Sequence, residues 1–290
     1  MSGDTEGGFS RARVCIVGLG LMGGSLAMAL RGKVGRITAQ DVNPAVIEAA
    51  LAAGVIDAAG DPSDADIVVL AAPAHVILDL VPALDVRPGT LVIDIASTKG
   101  RICDALDRLP PGVLAVGGHP MCGLAENGYR NATPGLYTGA RFVLCETART
   151  TGAARAQAEA LVRAVGAQPV WLDRERHDYL TALTSHVPHL LSFALMRLAQ
   201  SVDAEDPALF ALAAGGFDGA TRLARTDEAM IVGMFSTNAG HIREMARRLR
   251  VEMDRLEAAL DDPEALSQVL GQIVEARRAY SELYGERPIA

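Results

Sequence analysis

His119 is the strongest candidate for a general base in this sequence. It stands in a Gly118-His119-Pro120 segment, directly after an apolar run, residues 113–117, that predicts a strand. An imidazole whose ordinary pKa is about 6.5 can take up a proton while hydride leaves a substrate. The alternative, equally compatible with these residues, is a histidine that only orders a tight loop. Cys122 follows closely, but its apolar surroundings disfavour a Cys/His nucleophile.

Ser185, His186 and His189 form a second polar cluster, inside an apolar segment with helical spacing. Two histidines at this spacing resemble half of a zinc site, but no Glu lies between them and no third ligand suggests itself. Because Pro188 stands between the histidines, we also expect the helix to be interrupted there. We therefore predict no metal site in this cluster.

Ser97 and Lys99 follow a predicted strand, residues 91–95, at the edge where open α/β sheets bind their ligands. Farther along, a Gly-rich turn, residues 215–219, runs into Arg222. A guanidinium can hold a carboxylate through two parallel hydrogen bonds, so Arg222 is a candidate for binding an acidic substrate. The alternative is an ordinary exposed arginine on a helix.

A Gly18-x-Gly20-x-x-Gly23 motif joins a buried apolar run, Val14 to Val17, to a helix-like segment. In this context the first glycine permits a tight turn, the second lets the backbone approach a pyrophosphate, and the third lets the helix pack on the strand. Asp41 ends the next apolar stretch, roughly 20 residues on, where a ribose-binding carboxylate belongs. We predict that this motif binds NAD. The alternative is that the glycines form only a structural turn and that Asp41 is an ordinary surface residue. The predicted cofactor contacts are Gly18, Gly20, Leu21, Met22, Gly23, Asp41, Ala72 and Pro73.

Two kinds of periodicity divide the chain. Buried strand-like runs alternate with helix-like segments over residues 11–173, which predicts a doubly wound α/β Rossmann domain. Residues 174–290 show apolar residues three or four apart and no strand-like run, which predicts an all-α domain. Helix starts are predicted at Asn43-Pro44, Asp206-Pro207 and Asp262-Pro263.

The helical part carries more apolar surface than one thin layer of helices can bury. Met230 to Phe235 is nearly all apolar, and a stripe of apolar residues runs from Ile242 to Leu260. We therefore predict that this domain forms a homodimer.

Composition excludes several classes of protein. Half of the 290 residues are apolar, 21% are charged and the net charge is −8, which argues against nucleic-acid binding. Apolar runs fall short of the ~18 residues that a membrane span requires, and the polar N-terminus lacks the features of a signal peptide. Four scattered cysteines without a CxxC motif suit reduced thiols. We expect a cytoplasmic protein.

Six motifs, taken in order, resemble those of the prephenate/arogenate dehydrogenases of tyrosine biosynthesis. They are GLGLMGGS, STKG, GGHPMCG, GLYTGARFVL, HDYLTALTSHVPHLLSFAL and GGFDGATRLA. The resemblance spans about residues 11–250. It implies a Rossmann domain followed by a helical dimerisation domain, and NAD-dependent oxidative decarboxylation of prephenate to 4-hydroxyphenylpyruvate, of arogenate to tyrosine, or of both.

The same resemblance implies residue roles. His119 matches the catalytic histidine that receives the proton of the ring hydroxyl, and Ser97 matches a serine between that hydroxyl, the histidine and the nicotinamide ribose. His189 and Arg222 match residues that hold the carboxylate end of the substrate, and Ser185 lines the same helix.

Four positions depart from the family pattern: Leu124, Ala125, Gly219 and Ile231. At Ala125 and Gly219 the family often carries an acid. Without these acids we expect prephenate to be used better than arogenate. The alternative is that Glu126 replaces the missing Glu, so that both substrates are used. No regulatory segment follows Ala290, so we expect any inhibition by tyrosine to act at the active site.

Two rival functions fit the nucleotide motif. A dehydrogenase of the β-hydroxyacid or imine-reducing kind typically relies on a lysine in its helical domain, and no lysine follows Lys99 here. A non-catalytic NAD-binding sensor has no need of His119, His189 and Arg222 together.

Overall fold

The computed structural model describes residues 9–124 and 127–285. Ala125 and Glu126, two residues of the substrate-preference argument, lie outside the described residues. Eight strands in the described part form one sheet: β1 (Arg13–Val17), β2 (Arg36–Gln40), β3 (Ala58–Ala59), β4 (Ile67–Leu70), β5 (Leu91–Asp94), β6 (Leu114–Pro120), β7 (Arg141–Glu146) and β8 (Gln168–Trp171).

Helices connect most of these strands, and further helices form the C-terminal half of the described chain. The sheet part contains α1 (Leu21–Leu30), α2 (Pro44–Ala52), α3 (Ala74–Leu80), α4 (Gly100–Leu106) and α5 (Gly152–Ala164). The helical part contains α6 (Arg174–Thr181), a π-helix (Ala182–His186), α7 (Val187–Glu205), α8 (Gly215–Thr221), α9 (Glu228–Thr237), α10 (Ala239–Ala258) and α11 (Pro263–Tyr284). Short 3₁₀ turns lie at Pro62–Asp64, Val81–Ala83, Tyr129–Asn131 and Arg222–Arg225.

The sheet has the order β3-β2-β1-β4-β5-β6-β7-β8 and is parallel except where β6 pairs with β7. The strand order reverses direction between β1 and β4, which is the point where doubly wound sheets bind their ligands. β4 and β5 are buried along their whole length, as a parallel sheet covered on both faces requires. This confirms the predicted fold class.

Alternate residues of β1 enter two separate cores. Val14 and Ile16 pack into a large cluster on one face with Leu26 of α1, while Cys15 packs on the other face with Ile77 of α3. The wholly buried strands therefore place the turns at their carboxyl ends on a rigid base.

Two predicted helix starts are confirmed and one is wrong. The side chains of Asn43 and Asp262 each accept a hydrogen bond from the first turn of α2 and α11. No helix begins at Asp206-Pro207; the segment makes a turn, and the next helix begins at Gly215. The Asp206 carboxylate accepts from Ala208 N, so this residue caps a turn.

Pro188 does not interrupt the helix, contrary to our expectation. The π-helix ends at His186, and α7 continues through Pro188 as its second residue. A proline lacks the N–H and conflicts with the carbonyl four residues earlier, so the widened turn before it accommodates the ring. No helix in the described part of the chain is long and apolar enough to cross a membrane.

Candidate active site

The glycine loop after β1 is shaped by close backbone contacts. Gly18 has φ +97°, and a Cβ there would lie 2.5 Å from the Ala71 carbonyl oxygen. A Cβ on Gly23 would lie 1.9 Å from the Gly18 carbonyl oxygen. At Gly20, by contrast, a Cβ would meet nothing within 4 Å. The first and third glycines are thus required by the protein itself, whereas Gly20 borders open space that a pyrophosphate fits.

Helix α1 begins beside this open space. Its N-cap, Gly20, supplies no side-chain hydrogen bond, so the first backbone N–H groups are available to an anion. Leu21 is buried and Met22 packs against the core, so these two residues can serve a cofactor through their backbone. Ala72 and Pro73 are half-buried after the neighbouring strand β4.

Asp41 is held at the end of β2 by the glycine loop. Its carboxylate accepts a hydrogen bond from Leu19 N at 2.7 Å and another from Asn43 N at 2.8 Å. The side chain is half-buried, with an edge left to solvent. This position suits a carboxylate that binds ribose hydroxyls.

His119 lies in strand β6, not in a loop after it. It pairs with Val143 of the antiparallel strand β7. Its Nδ1 lies 2.8 Å from Nε2 of His177, which belongs to α6 of the helical part, and the two rings meet edge to face. The antiparallel pairing therefore fixes the backbone of His119, and a residue from the other half of the chain fixes its ring.

His177 and Asp178 were missed by the sequence argument. Both are buried, and His177 Nδ1 lies 2.8 Å from Asp178 Oδ1. Asp178 also accepts from the backbone N–H groups of Lys99 and Gly100, at 2.7 and 2.8 Å. Burial would raise the pKa of Asp178, but these hydrogen bonds outweigh burial and hold the pKa below its ordinary value. Both residues lie in the HDYLTAL motif, so this motif was a signal that could have identified them.

Lys99 cannot reach a ligand, contrary to our expectation from its position. Its side chain is completely buried, where it pairs with the Asp94 carboxylate and donates to the Gly118 carbonyl oxygen. Ser97 is half-buried in the loop between β5 and α4. The adjacent Thr98 hydroxyl lies 2.7 Å from that of Thr237 in α9, which is a further contact between the two parts of the chain.

The second polar cluster lies in and just after the π-helix. His186 is fully buried, and its Nδ1 accepts from the Asn238 side-chain amide at 3.0 Å. Its Nε2 must then carry the ring proton, and this atom has no hydrogen-bond partner among the described residues. Burial lowers the pKa of His186 to about 4, although the charge of Asp178 opposes the shift.

His189 and Arg222 are near enough to influence each other. His189 Nδ1 donates to the Ser185 carbonyl oxygen at 2.9 Å. Burial lowers the pKa of His189, and the positive charge of Arg222 adds to the decrease. Arg222 begins a 3₁₀ turn after α8, because residues 215–221 form a helix rather than the turn we predicted.

A cavity of about 710 Å³ lies beside Arg222. Arg222, Arg225 and Asp218 contribute its charged side chains, and Met196 of α7 contributes an apolar wall. Among the described residues that line it, two guanidinium groups and one carboxylate carry charge. The cavity suits an anionic ligand.

Two family models match the chain in succession. The model for the prephenate dehydrogenase nucleotide-binding domain matches residues 26–171, and the model for the prephenate dehydrogenase dimerization domain matches residues 173–272. The chain belongs to the prephenate dehydrogenase family. The family assignment, the oxidoreductase class and the nucleotide cofactor predicted from the glycine loop are thereby confirmed.

Relatives of this prephenate dehydrogenase family member cover most of its length. A prephenate dehydrogenase of Lactococcus lactis is 30% identical over 254 residues, 84% of this chain and 70% of its own. A cyclohexadienyl dehydrogenase of Zymomonas mobilis is 25% identical over 289 residues, 95% of this chain and 98% of its own. The structure of prephenate dehydrogenase from A. aeolicus in complex with hydroxyphenyl propionate and NAD+ superposes with a TM-score of 0.87 at 28% identity, covering 94% of this chain and 99% of that one.

Proposed function

We propose that this chain catalyses the NAD-dependent oxidative decarboxylation of prephenate to 4-hydroxyphenylpyruvate, a step of tyrosine biosynthesis, as a homodimer. The observation that carries the proposal is the position of His119. Its strand lies in the nucleotide-binding domain, and its ring contacts the helical domain through His177, in the same part of the molecule as His186. A base at this junction can serve a substrate held between a cofactor and the helices.

The open side of Gly20, the N-terminus of α1 and Asp41 would hold the dinucleotide. Bound NAD supplies a hydride acceptor at C4 of its nicotinamide ring. The protein's contribution is to place the substrate against this acceptor and to exclude other orientations.

His119 accepts the proton of the ring hydroxyl while the ring carbon that bears this hydroxyl loses hydride. As the ring carboxylate leaves as CO2, its bonding electrons make the ring aromatic, and the carbonyl oxygen takes the proton back to become a phenol. Substrate and oxidised cofactor therefore become product, CO2 and reduced cofactor with no net release of a proton. Ser97, which follows the neighbouring strand, is proposed to hold the same hydroxyl.

His189 and Arg222 are proposed to bind the carboxylate end of the substrate, on the helix lined by Ser185. Since His189 Nδ1 is bound to a carbonyl, its Nε2 is the atom left for substrate. A carboxylate beside that atom favours protonation of the ring, whereas Arg222 opposes it. Arg222 is expected to supply most of the attraction.

Prephenate is expected to be the better substrate. The described residues that line the cavity beside Arg222 include two arginines and one acid, and Gly219 adds none. Such a site suits the two negative charges of prephenate better than it suits arogenate. The ammonium group of arogenate would lose its hydrating water on binding and would require a hydrogen-bond acceptor. The similarity of the fold to the arogenate dehydrogenase of Synechocystis makes arogenate the second candidate.

The test is to measure kcat/KM for prephenate and arogenate with NAD. A higher value for prephenate supports the proposal, whereas a preference for arogenate contradicts the assignment of substrate. Arg222→Gln should raise KM for prephenate by about 10- to 100-fold, the usual range for losing a charged hydrogen-bond donor. Arg225→Gln is the matched control, since Arg225 lines the same cavity but is exposed. An equal effect of both changes would show a general charge effect.

A further inference from the structure

A continuous hydrogen-bond chain leads from His119 into the helical domain. His119 Nδ1 lies 2.8 Å from His177 Nε2, and His177 Nδ1 lies 2.8 Å from Asp178 Oδ1. The Asp178 carboxylate is held in turn by the N–H groups of Lys99 and Gly100. Each member therefore has a fixed position, and the chain ends on a buried anion.

The order of donors along this chain follows from its end. An ionised carboxylate only accepts, so His177 Nδ1 carries a proton and the Nε2 of a neutral His177 is an acceptor. His119 Nδ1 must then donate to it. This leaves the lone pair of His119 on Nε2, the atom that a general base needs to turn towards a hydroxyl.

We propose that His177 and Asp178 are positioning residues that hold His119 in its Nδ1–H form and share the proton it receives. The inference rests on the proposed function for the origin of that proton. When the substrate hydroxyl passes its proton to His119 Nε2, His119 Nδ1–H passes its own to His177 Nε2. The reverse movements return the proton to the oxygen when the ring becomes aromatic.

The surroundings explain why the charge should move to His177. Burial lowers the pKa of His119 well below its ordinary value, and His177, Lys99 and His186 add to the decrease. Lys99 is already paired with a carboxylate of its own, Asp94. A cation on His177 lies directly against Asp178, whereas a cation on His119 has no anion in contact with its ring among the described hydrogen bonds.

The first test needs no substrate and is therefore independent of the proposed function. The ring nitrogens of the six histidines can be labelled with ¹⁵N and their protonation read by NMR at pH 8. The His119 signals are assigned by their loss in His119→Asn. The proposal expects a protonated Nδ1 and an unprotonated Nε2 on His119. The opposite form of His119 would overturn it.

The second test measures the pH dependence of turnover. His177→Gln preserves much of the side-chain volume but cannot accept a charge. We expect kcat to fall about 10²-fold, at the lower end for loss of a proton-transfer partner, with little change in the Kd for NAD. The acid limb of the kcat/KM profile should move to lower pH, because the desolvated His119 now holds the proton alone.

His241→Gln is the matched control. His241 also hydrogen-bonds in the helical domain, to Asn238 Oδ1, but has no bond to His119 or His177. It should retain the wild-type kcat and pH profile. A His177→Gln enzyme with a lower melting temperature and a higher KM but an unmoved acid limb would show a merely structural role and overturn the inference. If neither prephenate nor arogenate is turned over by the wild type, the proposed function fails, while the NMR result still judges the hydrogen-bond chain.

Discussion

The nucleotide-binding and helical halves of the chain differ in how much apolar surface they bury by themselves. The sheet half has two large cores, one on each face of the sheet. The helical half has a cluster of only four buried residues among those described, Ala182, Val187, Ile242 and Met245. Apolar side chains along its helices are exposed instead, among them Leu191, Leu195, Leu198, Met253, Leu270, Ile273 and Val274.

This difference shows how the work of the enzyme is divided. The nucleotide site is built on strands that one chain packs completely. The proposed substrate residues Ser185, His189 and Arg222 lie in the helical half, whose helices expose apolar faces in a single chain. A second copy of the chain is expected to provide that cover, which agrees with the family's dimerization domain.

The largest effect should come from removing the proposed general base while both halves of the chain stay folded. His119→Asn should lower kcat by about 10²–10⁴-fold, the range for loss of a general base. The Kd for NAD should stay within about twofold, because the glycine loop and Asp41 are untouched. Stopped-flow turnover and fluorescence titration with NADH measure the two quantities. An active variant with the wild-type pH profile would mean that His119 only orders the strand.

Burial of His186 in the helical half should make the folded protein sensitive to acid. The folded pKa of His186 is about 4, while an exposed histidine titrates near 6.5, so the unfolded chain binds more protons between these values. Stability should therefore fall as pH drops from about 6.5 to 4, with about 3 kcal/mol attributable to this residue.

Urea unfolding of wild type and His186→Asn at several pH values measures this contribution. The Asn variant should lose less stability between pH 7 and pH 5 than the wild type. Parallel pH dependences of the two proteins would contradict the assignment.

A substitution of Asp41 should change the preference between cofactors without affecting the helical half, where the substrate is proposed to bind. A carboxylate at Asp41 accepts from ribose hydroxyls and repels a 2′-phosphate, so NAD should be preferred to NADP. Asp41→Asn should reduce the ratio of the two kcat/KM values about tenfold, on the order of one charge-assisted hydrogen bond. The KM for prephenate should stay unchanged. A wild-type preference for NADP would refute the role of Asp41.

The smallest effect should be on assembly. Leu270→Glu places a charge on the exposed apolar face of α11 and should weaken a homodimer at least about tenfold, as expected for a contact residue worth more than about 1 kcal/mol. Leu51→Glu, on a similarly exposed leucine of the nucleotide half, is the control. Sedimentation velocity at micromolar concentration compares them. A wild-type monomer, or equal behaviour of both variants, would remove the proposed contrast between the halves.

Local signals allowed the sheet half to be predicted well. The glycine motif, the strand before it and the Asn43 cap depend on neighbouring residues alone, and each appears where we expected it. The strand that carries His119 was harder. Gly118 was expected to begin a loop, but the strand continues through it. A Cβ on Gly117 would lie 2.6 Å from Cys103 Sγ, and a Cβ on Gly118 would lie 2.4 Å from the Asp94 carbonyl oxygen. The glycines are required by packing between distant segments.

Long-range partners account for the other differences. Lys99 follows the end of a strand. Only the tertiary structure shows that its ammonium group is buried, where it donates to the Asp94 carboxylate and the Gly118 carbonyl oxygen. His177 lies near the start of a helix in a highly charged segment, which gives no sign that it is buried. Contacts across 58 residues of sequence, such as that between His177 and His119, cannot be inferred from local pattern.

The cap that Asp178 places on α4 bears on how the enzyme moves. Its carboxylate accepts hydrogen bonds from the backbone of Lys99 and Gly100, which joins the helical half to this segment. The Lys99 side chain binds the Gly118 carbonyl oxygen, next to His119. A hinge opening between the halves would have to break these buried contacts and pull His177 from His119. We therefore expect the two halves to keep one relative orientation throughout turnover, so that entry of substrate and departure of product depend on local motion and not on domain closure.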